Sequence, residues 1–287
     1  MDNPVDLKSG EYTASILPFG AELCSFKHLP TDTEFIWQAD KSVWPRHAPV
    51  LFPFVGRLKN FEYSYDGNLH TIEQHGFARD LMFEVIEQTE NCAILELKDN
   101  NHTWQRYPFR FSFKVKYTLV GNKLTMSFDV INLGLTPMPV SFGGHPAFNI
   151  SEPNDTIIVF EKDRNPLSWM LDENFISNRK KQVTDGNSHI LVNEDTFSKD
   201  ALIFKYLKSD WVKLQFKSTG RSIKVNFEGW PYLGIWAKHG ANFICIEPWQ
   251  GIADLVDFEG DVSQKEGILM LPANERIEKS FDMEVNI

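Results

Sequence analysis

The sequence predicts an all-β protein, one large β-sandwich in which residues 1–287 form a single domain. Three observations predict it. Apolar residues recur at every second position over long runs, turn-forming residues separate these runs at short intervals, and helical periodicity is scarce. Taken along the chain, a short helical piece is expected near 40–44 and a strand over 93–97. Phe111, Phe113, Val115, Tyr117 and Leu119 then alternate with Ser112, Lys114, Lys116 and Thr118. Leu124, Met126, Phe128 and Val130 alternate with Thr125, Ser127 and Asp129. Between the two runs, Val120-Gly-Asn-Lys123 has hairpin chemistry. A second short helical piece is expected over 165–171. The polar stretch 172–194, with Arg179, Lys180 and Lys181, reads as a long surface excursion between strands. Strands follow at 212–216 and 223–227, and an apolar strand-like run, Phe243-Ile-Cys-Ile246, leads into Glu247 and Pro248.

Composition narrows the function. The net charge of -10 argues against nucleic acid or an anionic membrane as partner, because both need a basic face. The 23 Phe, 8 Trp and 7 Tyr suit strands and supply flat apolar faces on which sugar rings stack. Cys24, Cys92 and Cys245 are widely spaced and odd in number, which reads as reduced thiols in a cytoplasmic protein. The N-terminal stretch has no basic segment followed by an apolar core, so no signal peptide is expected, and no run approaches transmembrane length.

Four stretches carry candidate chemistry. Glu247 ends an apolar run; a carboxylate there is paired, exposed at a strand end, or kept for reaction. Trp236 and Trp249 lie close to it in sequence, as rings that form the floor of a sugar site would. His145 stands between Gly143-Gly144, which permit close backbone approach, and Pro146, which fixes the chain after it. His75 follows a strand expected to end near Ile72. The segment 44–58, with Pro45, Pro49 and Pro53, should be rigid and irregular, and Arg57 follows Gly56 where a guanidinium reaches a ligand hydroxyl or a carboxylate. The plain alternatives are a core histidine and a surface salt bridge. No HxH, HExxH, GxSxG, phosphate loop or dinucleotide fingerprint is present. A glycoside hydrolase would need a second carboxylate, for which Asp200, Asp254 and Asp257 are the weaker candidates.

Together these residues resemble the aldose 1-epimerase (galactose mutarotase-like) family. The matching blocks are Pro49-Val-Leu-Phe-Pro-Phe-Val-Gly-Arg57-Leu, His75-Gly-Phe-Ala-Arg79, Gly144-His-Pro-Ala-Phe-Asn149 and residues 233–251, in family order. The LacX-like branch is the most similar. The resemblance implies a galactose mutarotase-like supersandwich and a cytoplasmic isomerase, monomer or homodimer, without cofactor or metal. It implies Glu247 as general base and His145 as general acid, with His75 hydrogen-bonding the ring oxygen or supporting its protonation. Arg57 would bind sugar hydroxyls and orient the carboxylate, Asp200 would be the substrate-binding aspartate, and Trp44, Trp236 and Arg79 would line the sugar site. The partner is then a small sugar or a sugar phosphate. Gly-Gly before His145, Pro-Ala after it, and Leu-Lys-Asn after Arg57 depart from the galactose mutarotase pattern and weaken galactose as the implied substrate. Arg46, Arg79 and Lys238 are the basic residues available to a hexose 6-phosphate, and a non-catalytic sugar-binding protein is the reading from another class.

Overall fold

The structure, a computed structural model, describes residues 3–184 and 186–287. Met1 and Asp2, in the stretch read for a signal peptide, and Asp185, in the polar stretch 172–194, lie outside the described residues. Two large antiparallel sheets dominate. The nine-stranded sheet runs His189–Leu191, Thr156–Phe160, Trp211–Phe216, Ser222–Asn226, Arg276–Asn286, Lys123–Asn132, Phe111–Val120, Cys92–Lys98, Glu84–Gln88. The eight-stranded sheet runs Phe175–Gln182, Leu167–Asp172, Leu202–Lys205, Tyr232–Trp236, Phe243–Gln250, Phe142–Gly144, Val50–Leu51, with Ala147–Asn149 also pairing Phe243–Gln250. A four-stranded sheet from Val5–Ser9 to Thr33–Glu34 and two hairpin-sized pairs complete the strands.

The period-two pattern explains the layering. Alternate residues of the hairpin strands Phe111–Val120 and Lys123–Asn132 point inward, and Phe113, Val115, Met126 and Phe128 join the main apolar core. From the other sheet, Leu202, Phe204, Leu233, Ile235, Ile244 and Ile246 enter the same core. Rings cross between the layers, with Phe128 5.8 Å from Phe142 and Phe160 5.3 Å from Phe204 between centroids. The opposite face of the eight-stranded sheet is not bare. Trp249, Tyr232 and Ile203 form one small apolar cluster there, and Phe243, Cys245, Trp44 and Trp236 contribute to another.

Three expectations are corrected. Residues 165–171 are not helical: Leu167–Asp172 is a strand, because Trp169 and Leu171 meet one apolar cluster at a spacing of two, not three or four. Residues 40–44 make a single turn, with Val43 and Trp44 N–H both donating to Asp40 O, and Pro45 stops it there. The stretch 172–194 is largely strand. Phe175–Gln182 and His189–Leu191 are the outer strands of the two sheets, and their polarity is that of exposed edges.

Candidate active site

Glu247 lies inside the strand Phe243–Gln250, not at its end as the sequence predicts. On one side Ala147–Asn149 pairs with 243–245, and then Phe142–Gly144 pairs with 249–250. Both pairings share one register, so the residue that falls opposite Glu247 across the interruption is His145. The interruption also accommodates Pro248, whose missing N–H would break a continuous ladder. Gly143 has no alternative here, since a Cβ would lie 2.6 Å from Pro248 O and 2.8 Å from the Trp249 ring. On the other flank Glu247 faces Gly234, which has no side chain to cover it. Alternation puts Phe243, Cys245, Glu247 and Trp249 on the face away from the main core, between the two small clusters. His145 Nε2 comes to 3.1 Å from Glu247 Oε2, with both side chains almost wholly buried.

His75 and Arg57 approach from the loops above. Gly56 N–H donates to His75 Nδ1 at 3.2 Å, which leaves Nε2 as the protonated ring nitrogen, with the Gln74 side-chain amide 3.3 Å from it. The His75 ring stands 5.8 Å from that of His145, edge to face. Gly76 makes the turn beneath it; a Cβ there would lie 2.2 Å from Phe52 O, and its φ is +72°. Arg57 is not held by a carboxylate: among the described residues it forms no ion pair, its Nε is buried without a hydrogen bond, and its guanidinium lies 4.6 Å from the Phe61 ring and 5.6 Å from Phe175. Asp254 holds the backbone around it. Its N–H donates to Arg57 O, its Oδ2 accepts from Lys59 N–H at 2.8 Å, its C=O accepts from Ile176 N–H beside Phe175, and Lys265 Nζ sits 3.0 Å from Oδ1.

These groups line a cavity of about 410 Å³, within the range of small-ligand sites. Asp200, Arg46, Arg79, Trp44 and Trp236 line it too, so the residues that the family resemblance implies as catalytic or sugar-binding reach one space, whereas Asp254 and Asp257 do not line it. Among the described residues, three polar atoms of cavity side chains, Arg57 Nε, Arg79 Nε and His145 Nδ1, are buried without a hydrogen bond, while Glu247 Oε2 meets His145 Nε2 and the Trp249 indole N–H acts on the Glu247 carboxylate. Buried polar groups are normally satisfied, so these atoms are open to a polar partner from the cavity.

Electrostatics make the pair unusual. Burial raises the Glu247 pKa well above the ordinary carboxylate value, the charge of Asp200 adds to this, and the Trp249 indole N–H opposes it. Burial depresses His145 to about 3 and His75 well below its usual value, with Arg79 and Arg46 contributing to both. Burial thus favours the uncharged forms, Glu247 carrying the proton and His145 neutral, in a pair that titrates together. If that proton is the one used in reaction, activity falls as pH rises through the raised Glu247 pKa. Asp200→Asn removes the charge that opposes losing it, so the alkaline limb of kcat/KM is expected to move to lower pH; a limb that stays put or moves upward would refute this coupling.

Arg46 Nη2 donates to Asp80 Oδ1 at 2.9 Å, while Arg79 Nε lies 3.6 Å from Asp80 Oδ2 and its Nη2 donates to Gln74 O at 2.6 Å. Two guanidinium groups thus share one carboxylate, and burial together with Arg46 lowers Arg79 to about 10. Lys238 is placed differently: its ammonium donates to Val43 O and it does not line the cavity. Trp44 is a wall, stacked on His145 at 5.2 Å and on Phe243 at 5.3 Å, with Trp236 edge-on to both Trp44 and His145. Sequence reasoning missed Gln74, Asn174 and Ala253 as lining residues, which carry no chemical signature. It also passed over Cys245 as a ligand, although His145, Cys245 and Glu247 offer ligand atoms all within 4.8 Å of one another.

Comparison with known proteins bears on this geometry. The aldose 1-epimerase family model matches residues 4–269. The chromosomal protein LacX of Lactococcus lactis subsp. lactis is 29% identical over 98% of this chain and 99% of its own. A galactose mutarotase related enzyme from Lactobacillus acidophilus superposes with a TM-score of 0.95 at 35% identity, covering 99% of this chain and 97% of that one. A galactose mutarotase-like protein from Lactobacillus casei gives 0.94 at 26% identity, covering 99% and 100%.

Proposed function

The chain belongs to the aldose 1-epimerase family, and from that premise we propose that it interconverts the α and β anomers of an aldohexose by ring opening and reclosure. The observation that carries the proposal is the buried Glu247–His145 pair, in register across an interrupted ladder and open to the cavity. Ring opening transfers the C1 hydroxyl proton to Glu247 as the C1–O5 bond breaks and C1=O1 forms. His145 delivers a proton to O5. Rotation about C1–C2 presents the other carbonyl face, and reversal of both transfers closes the ring. No electrons are gained or lost overall. A pair holding one proton includes the microstate this needs, Glu247 ionised and His145 protonated, without changing its net charge. The Nε2–H of His75 is the donor suited to the ring oxygen, and Arg57, whose guanidinium has no carboxylate partner, suits the hydroxyls.

A second reading concerns the substrate. Arg46 and Arg79 bring two guanidinium groups to the cavity, both paired with Asp80 and Arg79 also under the charge of Glu22, and a phosphate ester suits such a pair. The glycosidase alternative loses support from Asp254, whose carboxylate is committed to Lys265 and Lys59 N–H. Exchange between anomers, followed by NMR in parallel on glucose, galactose and their 6-phosphates, tests the proposal. Acceleration over buffer is expected for at least one of the four. If a 6-phosphate is preferred, Arg46→Ser should raise its KM about tenfold and leave the unphosphorylated sugar nearly unchanged. Sugar binding without acceleration would make this a binding protein, and release of alcohol from aryl glycosides would make it a hydrolase.

A further inference from the structure

Cys245 has no part in the reaction above, yet it lies two residues before Glu247 on the same face of the strand. Its thiol belongs to the one group of three His, Cys, Asp or Glu residues, among the described residues, whose ligand atoms lie close enough to bind a single ion, here within 4.8 Å. An imidazole nitrogen, a sulfur and a carboxylate oxygen form a soft, mixed donor set of the kind zinc takes, with ligand atoms roughly 3.5 Å apart around a tetrahedral ion. A rotamer adjustment of about 1 Å therefore closes the set. The Glu247 and His145 side chains are 2% and 10% exposed and line the cavity, and Glu247 Oε2 has His145 Nε2 as its polar neighbour at 3.1 Å, so a cation between them would meet both groups. His145 and Glu247 line the sugar cavity while Cys245 is wholly buried and does not, so an ion would be reached from the cavity side, where water or a sugar hydroxyl would complete the tetrahedron.

We propose that His145, Cys245 and Glu247 form an inhibitory site for a soft divalent cation such as zinc, entered through the sugar cavity. The inhibitory half of the proposal rests on the reading of Glu247 and His145 as the proton-transferring pair; the binding half does not. Binding displaces the thiol proton, and any proton held by Glu247, to solvent, and forms Zn–S, Zn–N and Zn–O bonds with no redox change. With the ion in place the Glu247 carboxylate is a weaker base toward the C1 hydroxyl, and the metal-bound nitrogen of His145 carries no proton for O5.

The test uses full-length, metal-free protein. Cobalt(II) is titrated first, because a thiolate-to-cobalt charge-transfer band in the near ultraviolet reports sulfur ligation whatever the protein catalyses. Wild type should develop the band and lose it on adding zinc. Cys245→Ser, with Cys245→Ala as the second variant should the first misfold, should lose it while Cys24 and Cys92 remain. Anomer exchange in metal-free buffer should persist in the Cys245 variant, and the zinc concentration that halves it should rise at least tenfold over wild type. No band in wild type, or equal zinc sensitivity in the variant, overturns the site. A normal band in a protein that accelerates no anomer exchange would overturn the enzymatic reading and the inhibition, and leave the metal site standing.

Discussion

Glu247→Gln is expected to lower the anomer-exchange rate by a factor of about 10³ or more, while sugar binding and the fold persist. The substitution keeps the shape of a side chain that is 2% exposed and removes the group assigned to accept the C1 hydroxyl proton. It should also change stability in a set direction. Burial raises the Glu247 pKa in the folded state above its unfolded value, so its contribution is complete below the unfolded pKa and is lost as pH rises through the folded one. Glutamine has nothing to ionise. The melting temperature of the variant should therefore fall less than that of wild type as pH is raised from acid to neutral. A steeper fall in the variant, measured by calorimetry across that range, would mean that Glu247 is ionised and satisfied in the folded protein.

His145→Asn is expected to cost a factor of about 10²–10⁴, and its combination with Glu247→Gln should be little worse than the more damaging single change. The reason is that one proton serves both groups across 3.1 Å, so removing either disables the same transfer. Asparagine keeps a polar group beneath Trp44 but cannot carry the proton to O5. Single-variant losses that multiply in the double variant would show two independent functions in place of one coupled pair.

The hairpin at residues 111–132 was legible because its strands alternate strictly over 111–119 and 123–130, with Gly121 and Asn122 between them. The edge strands in 172–194 were not legible, since an exposed edge with Arg179 and Lys180 has no apolar period to read. Leu167–Asp172 was misread because one short apolar run fits a helix or a strand until its partner, here Ile203, is known. Within the site, Glu247, His145, His75 and Arg57 stood out by residue type and by unusual neighbours, Gly and Pro above all. What no local pattern revealed is the break in the ladder that sets His145 opposite Glu247, because it depends on registers established by residues 143 and 147 together. Asp254 was weighed as a second carboxylate for catalysis; its place beneath the Arg57 backbone follows from Lys265, which is distant in sequence and buried with it.

The central claim is that a cavity carboxylate, Glu247, drives exchange between sugar anomers. The measurement that tests it most directly is the equilibrium anomer-exchange rate at neutral pH for wild type and Glu247→Gln, side by side, on whichever of the four sugars turns over fastest. The wild-type rate should exceed that of buffer in proportion to protein concentration, and the variant should return it close to the buffer value. A variant within about tenfold of wild type would contradict the assignment of Glu247 as the base.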